Sequence, residues 1–493
     1  MTIKLYNTYT KKIEEFKPIE KGKVRMYNCG PTVYDYVHIG NYRTYLMADF
    51  LRRVFEYSGY KVKQIKNITD VGHLTQDDIE AGEDKILKAA KRERKSPIEI
   101  ARFYESVFFE DEKKLNILPA HKFPKATEYI NQMIEMIKTL IEKKYAYEVN
   151  GSVYYDVTKF QNYGKLSGNT IENLKNGARL DIHPDKKNAY DFALWLKASP
   201  EHLMQWKSPW GKGYPGWHIE CSAMSSSNLG STIDIHTGGE DNIFPHHEDE
   251  IAQSEGTSEK KFVNYWIHGR HLMVDGKKMS KSKNNFYKIS DIEKKGFNPL
   301  AFRYLCFTTH FQSQLNFTWK SLEASQNALN KLYNFIRSND VIAKSEATKQ
   351  SLNYMQITKN YNKQFQQALE NNLDTPKAIA IIWEIIKSNK LDHNLKKELL
   401  LKFDKVLGLD LDKIKQDKIK LVTKFKIPIG VKMIEITNTT GEIITDEIRD
   451  FIAEREKARK EKNFIKSDEI RNRILNKGYI IEENKNGKTI RKK

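Results

Sequence analysis

The sequence predicts an α/β fold: a parallel, doubly wound sheet carrying an inserted segment, followed by a helical bundle and a small basic end. Three observations predict it. A strand–turn–helix–strand pattern fills residues 23–70, a second α/β stretch resumes near 231, and beyond about 300 apolar residues recur at helical spacing.

The first pattern opens with "KVRMYNCG" (23–30), which reads as a short buried strand. "NYRTYLMADFLRRVFEYSG" follows as a helix that stops at Gly59, and "YKVKQIKNITD" is the next strand. Such βαβ units bind ligands beyond the carboxyl ends of their strands, where Cys29 stands. The GxGxxG dinucleotide fingerprint is absent, which argues against a nicotinamide enzyme. Residues 115–205 read as the insertion: "YINQMIEMIKTLIEKKYAY" is helical, "GSVYYDV" strand-like and "FQNYGKLSGN" rich in turns. The second α/β stretch runs from "STIDIHTGGEDNIFPHHEDEIAQSEG" through "KFVNYWIHGRHLMVDGKKMSKSKNN". Helices then follow in "SLEASQNALNKLYNFI" and "QQALENNLDTPKAIAIIWEIIK", parted by a polar linker at 339–352. The expected divisions are 1–300, with the insertion inside it, 301–410 and 411–493.

A net charge of +19 and a pI near 9.3 favour a polyanionic partner, nucleic acid first. Residues 451–493 alone contribute 14 Lys or Arg against 7 Asp or Glu, on what reads as a helix pair with a basic face. Three cysteines in 493 residues argue against a disulfide-built protein, and "MTIKLYNTYTKK" lacks the apolar centre of a signal peptide. No apolar run is long enough to span a bilayer. A cytoplasmic protein, without membrane contact and monomeric, is expected.

Three groups of residues carry chemistry. In "PTVYDYVHIGN", Gly40 lets a ligand lie against the backbone at a helix start, and His38 can donate to charge on phosphoryl oxygens. In "KKMSKS", lysines on a loop, Lys278 and Lys281 among them, suit a leaving pyrophosphate. Third are the candidate metal ligands: Cys29, Cys221 in "WHIECSAM", and His246, His247 and Glu250 in "FPHHEDEIAQ". Pro245 suits a first helical position, so a helix is expected from there, with His246 and Glu250 one turn apart. A thiolate-rich set of this kind suits zinc. Spacing alone leaves His246 and His247 both open.

HIGN with KMSKS resembles the paired HIGH and KMSKS signatures of class I aminoacyl-tRNA synthetases. With "GWHIECSAM", "FPHHEDE", "NITDVG", "FPKATEYI", "YGKLSG" and "DFALW", the chain resembles the bacterial cysteinyl-tRNA synthetases over nearly its whole length. The resemblance implies a Rossmann-like catalytic domain over 1–300, a helical bundle and a basic anticodon-binding region. It implies ATP-dependent joining of L-cysteine to tRNA(Cys) through an adenylate, with Mg²⁺ accompanying ATP. It also implies one Zn²⁺ on Cys29, Cys221, His246 and Glu250. ATP contacts fall on His38, Gly40, Asn41, Lys278 and Lys281, and amino-acid contacts on Gly30, Thr69, Trp217 and Asp241. Two departures stand out: Asn41 replaces the last histidine of the first signature, and Ile490 precedes Arg491 where the family often carries tryptophan.

Overall fold

The computed structural model describes residues 2–72, 74–76, 81–173, 184–200, 202–279, 285–338, 349–414, 423–429, 432–438, 444–484 and 487–492. Lys281 lies outside them. The chain forms two compact units, Met1–Phe335 with Lys344–Lys413, and Ile336–Ala343 with Ile414–Lys493.

The first unit is built on four parallel strands. Strand β1 (Lys23–Asn28) leads through helix α1 (Ile39–Tyr57) to β2 (Lys61–Lys66). After the insertion come α2 (Trp217–Leu229), β3 (Ile233–Gly239), α3 (Glu248–Ser258) and β4 (Val263–Gly269). The sheet order is β4-β3-β1-β2, with Tyr27 opposite both His236 and Ile65. From β1 the chain moves to β2 on one side, while β3 pairs on the other. Connections therefore diverge above the ends of β1 and β3, the switch point where open α/β sheets leave a crevice.

Strand β3, IDIHTGG, is buried at every position although Asp234, His236 and Thr237 are polar, and β1 is buried at Val24 and from Met26 to Asn28. Helix α1 reads as amphipathic but is buried almost all round, including Arg43, Asp49, Arg52 and Arg53. Its polar residues face a second layer. Helices Pro299–Phe307 and His393–Leu407 pack there, and Arg303 donates to Asp49 Oδ2 at 2.6 Å and to the carbonyl of Leu407. That buried junction is why the helical stretch belongs to the first unit, which ends at Lys413.

The insertion folds as helix Ile130–Glu142 and a five-stranded antiparallel sheet made from residues 146–215. After β4 a small sheet follows: β5 (Leu272–Val274), β6 (Lys277–Lys278) and β7 (Leu315–Phe317), with β5 between the others. The second unit pairs helices Asp446–Lys460 and Phe464–Asn476 with a four-stranded sheet. Ile490 is fully buried there, against Ile436, Ile452 and Ile474. Among the described residues no helix is long and apolar enough to cross a membrane.

Candidate active site and metal centre

The divergence of β1 and β3 opens a cleft of about 360 Å³. Its walls are the strand ends Cys29–Gly30, Gly238–Gly239 and Gly269, and the start of α1. Gly30 is required by close approach: a Cβ there would sit 1.7 Å from the carbonyl oxygen of Asn67.

His38 caps α1, its Nδ1 accepting the backbone N–H of Asn41 at 3.1 Å. Acceptance at Nδ1 puts the ring proton on Nε2, so the imidazole is a donor on its other side. Gly40 permits this fold-back, since a Cβ would meet His38 Cε1 at 2.9 Å. No acidic residue occupies the first turn of α1, so its N-terminus stays favourable to anions. His38, Gly40, Asn41 and Lys278 all line the cleft.

Trp217 and Asp241 line it too. Trp217 opens α2, one turn before Cys221, and its ring lies 4.5 Å from that of His246. Thr69 is placed differently. It is buried, giving its hydroxyl proton to Glu220 Oε2 at 3.0 Å and accepting from Asn67 at 3.2 Å.

Beneath the cleft the candidate ligands converge. Donor atoms of Cys29, His246, His247 and Glu250 all lie within 4.8 Å of one another. Cys221 joins them by hydrogen-bond contacts to Cys29 and His246. His246 Nε2 is 3.1 Å from Glu250 Oε1, and His247 Nε2 is 3.1 Å from Cys29 Sγ. Cys221, His246, His247 and Glu250 are buried; Cys29 is the member that reaches the cleft. The helix expected from Pro245 is regular only from Glu248, because Phe244 is extended and Ile243–His247 form a wide turn. Glu250 nevertheless meets His246 from the next turn.

Contact with Cys29 and His246 lowers the Cys221 thiol to about 7, whereas burial and the shared contact with Cys221 raise Cys29. Burial opposes the charged forms of His246 and Glu250. Contacts with Cys221 and Glu250 still raise His246 to about 10, and His236 and His246 hold Glu250 at about 2. His247, by contrast, is held well below the ordinary imidazole range by burial and by the neighbouring histidines. The donor set fits a soft divalent cation, zinc above calcium or magnesium.

Both imidazoles stand in this group, but their outer partners differ. His247 Nδ1 is 2.7 Å from His268 Nε2, and His268 Nδ1 is 2.8 Å from Thr8 Oγ1. His246 contacts Cys221, and its Nδ1 is 2.9 Å from His218 Nδ1. His236 Nε2 is 3.0 Å from Glu250 Oε2. The sequence reading missed His218, His236 and His268. Two of them sit on inward-facing positions of β3 and β4, where a polar residue in an apolar strand is the available signal.

Residues 15–327 match the family model of the class I (C) tRNA synthetase catalytic domain. A cysteine–tRNA ligase of Treponema denticola is 42% identical over the whole of both chains. The chain belongs to the cysteine–tRNA ligase family of class I aminoacyl-tRNA synthetases. A cysteine–tRNA ligase of Finegoldia magna is 41% identical over 98% of each chain. Among solved structures, the methionyl-tRNA synthetase of Mycobacterium tuberculosis with methionyl-adenylate superposes with a TM-score of 0.55 at 13% identity. That match covers 80% of this chain and 90% of the other, a likeness of fold. In this member of the family, Cys29 of the ligand candidates lines the same cleft as His38, Gly40, Asn41, Lys278 and Met279.

Proposed function

We propose that the chain joins L-cysteine to tRNA(Cys) at the expense of ATP, with zinc held by Cys29, Cys221, His246 and Glu250. The observation that carries this reading is the buried cluster of sulfur, imidazole and carboxylate donors opening by Cys29 into the cleft lined by His38 and Lys278. Zinc, when bound, supplies a soft Lewis acid that takes a substrate thiol as thiolate and has little affinity for a serine hydroxyl.

The chain's own groups do the rest. Trp217 and Asp241 bound the space for the amino acid, Asp241 offering a carboxylate to its ammonium group. The cysteine carboxylate attacks the α-phosphate of ATP, and the bond to pyrophosphate breaks. His38, protonated at Nε2, donates to phosphoryl oxygen while the start of α1 faces the triphosphate. Lys278 and Lys281 offset the charge of the departing pyrophosphate. Asn41 keeps a donor amide where the family signature has imidazole. The acyl group of the resulting cysteinyl-adenylate then passes to the 2′-hydroxyl of the terminal adenosine of tRNA, and AMP leaves. Most of the acceleration comes from positioning and fixed charge.

ATP–pyrophosphate exchange dependent on L-cysteine, followed by acylation of tRNA against an amino-sugar acceptor, tests the reading. Exchange with tRNA acylation is expected. Exchange with transfer to the sugar alone would identify a cysteine ligase of another kind, and no exchange would leave a zinc-bearing RNA binder.

A further inference from the structure

Arg43 lies in the second turn of α1, after the His38–Asn41 turn, and is 5% exposed. It directs its donors to four backbone carbonyls. Nη1 donates to Arg270 O and His271 O, each at 2.7 Å; Nη2 donates to His310 O at 3.3 Å and to Ser313 O. These carbonyls lie on two separate segments. Arg270 and His271 join β4 to β5, and Ser313 stands just before β7. Both segments enter the small sheet in which Met273 of β5 faces Lys278 of β6.

The other side of the same dipeptide is also held. Glu240 Oε1 accepts the His271 backbone N–H at 2.6 Å, and Oε2 accepts from Arg270 Nη1 at 2.7 Å. Glu240 adjoins Asp241 of the cleft. Residues 270–271 are therefore braced between helix α1 and the end of β3 before the chain turns into the strand carrying Lys278. A backbone bond from Ile39 N to Tyr287 O, 2.9 Å, fastens the far side of the lysine-bearing loop to the same helix start.

We propose that Arg43 is a positioning residue that sets the spacing between the His38–Asn41 turn and the Lys277–Lys278 strand, and so the grip on the triphosphate of ATP. The inference rests on the ATP-dependent reading above. A planar guanidinium spans two pairs of carbonyls at once, whereas an ammonium offers its donors from a single point. A simple staple would add stability and leave the folded enzyme's kinetics alone. A spacing device acts first on ATP, because the strand it positions carries Lys278.

The test uses the full chain with Arg43→Lys and Arg43→Ala. Thermal midpoint, ATP affinity by calorimetry, and exchange kinetics are measured on each. Arg43→Lys is expected to keep a midpoint near that of the parent. Its ATP affinity should weaken about tenfold and its kcat fall on the order of 100-fold, with the KM for L-cysteine within about twofold. Millimolar methylguanidinium should restore part of the kcat lost in Arg43→Ala. Parent-like ATP affinity and kcat in Arg43→Lys would overturn the inference. So would losses that follow the thermal midpoint in both variants and do not respond to methylguanidinium. A parent chain inert towards cysteine would overturn the functional reading instead, and ATP affinity alone would then decide the role of Arg43.

Discussion

Cys29 sits where a thiol has two neighbours of opposite character: the open cleft on one side, and on the other the buried His246, His247 and Glu250, with Cys221 in contact with Cys29 and His246. Within that set the Glu250 carboxylate, held at about 2, faces the His246 imidazole, raised to about 10, at 3.1 Å. Replacing Cys221 by serine exchanges a soft donor for a hard one. Cys221→Ser is expected to lower bound zinc at least tenfold, read by atomic emission on dialysed protein, and to abolish cysteine-dependent exchange. Unchanged zinc and exchange would remove Cys221 from the ligand set. Lys281→Ala should depress pyrophosphate exchange by roughly 100-fold while cysteine binding changes little, since the lysine addresses phosphate. Equal losses in both would contradict its assignment.

Among the elements, helix α1 joins the catalytic cleft to the helical layer behind it. Arg303, fully buried, donates to Asp49 and to the carbonyls of Leu115, Asn116 and Leu407. Arg303→Met leaves the Asp49 charge with Arg53 alone and three carbonyls short of a donor. It should cost roughly 3–5 kcal/mol in urea unfolding, and a loss below about 1 kcal/mol would show that the junction relaxes without it. Asp404, in the helix His393–Leu407, accepts the N–H groups of Leu409 and Leu411 at 2.7 and 2.8 Å, yet burial raises it to about 6. Between about pH 4 and that value the native state binds the proton more tightly than the unfolded chain, whose carboxyl has the ordinary value near 4. Stability should therefore fall as pH rises through this window, and Asp404→Asn should flatten that slope. These elements also show what could be read in advance. The βαβ unit, the insertion and the late helices were legible because period and turn residues are local signals. The burial of α1 on both faces was not, because Asp49, Arg43 and Arg53 read as a solvent face until residues far along the chain satisfy them. The buried histidines around the cluster were hidden for the same reason. Thr69, expected in the pocket, is buried with its hydroxyl donating to Glu220.

For the whole molecule, a net charge of +19 sets the expected behaviour towards RNA. Raising salt from about 50 to about 200 mM should weaken tRNA binding by at least tenfold while cysteine-dependent exchange without tRNA changes little, because phosphate contacts release counterions and the small-substrate site does not. Salt-insensitive tRNA binding would count against a basic docking face. The cysteine and basic-end features both serve one task in this reading: choosing a thiol amino acid and bringing the right RNA to it. A shape-matched pocket alone separates such near-isosteres by only ~10 to 200-fold. The most direct measurement is the ratio of exchange with L-cysteine to exchange with L-serine, on protein of known metal content, before and after zinc is stripped by a chelator. One zinc per chain, a ratio far above that range, and loss of cysteine activation with the metal are expected. A metal-free chain that still activates cysteine and rejects serine would contradict the proposed centre.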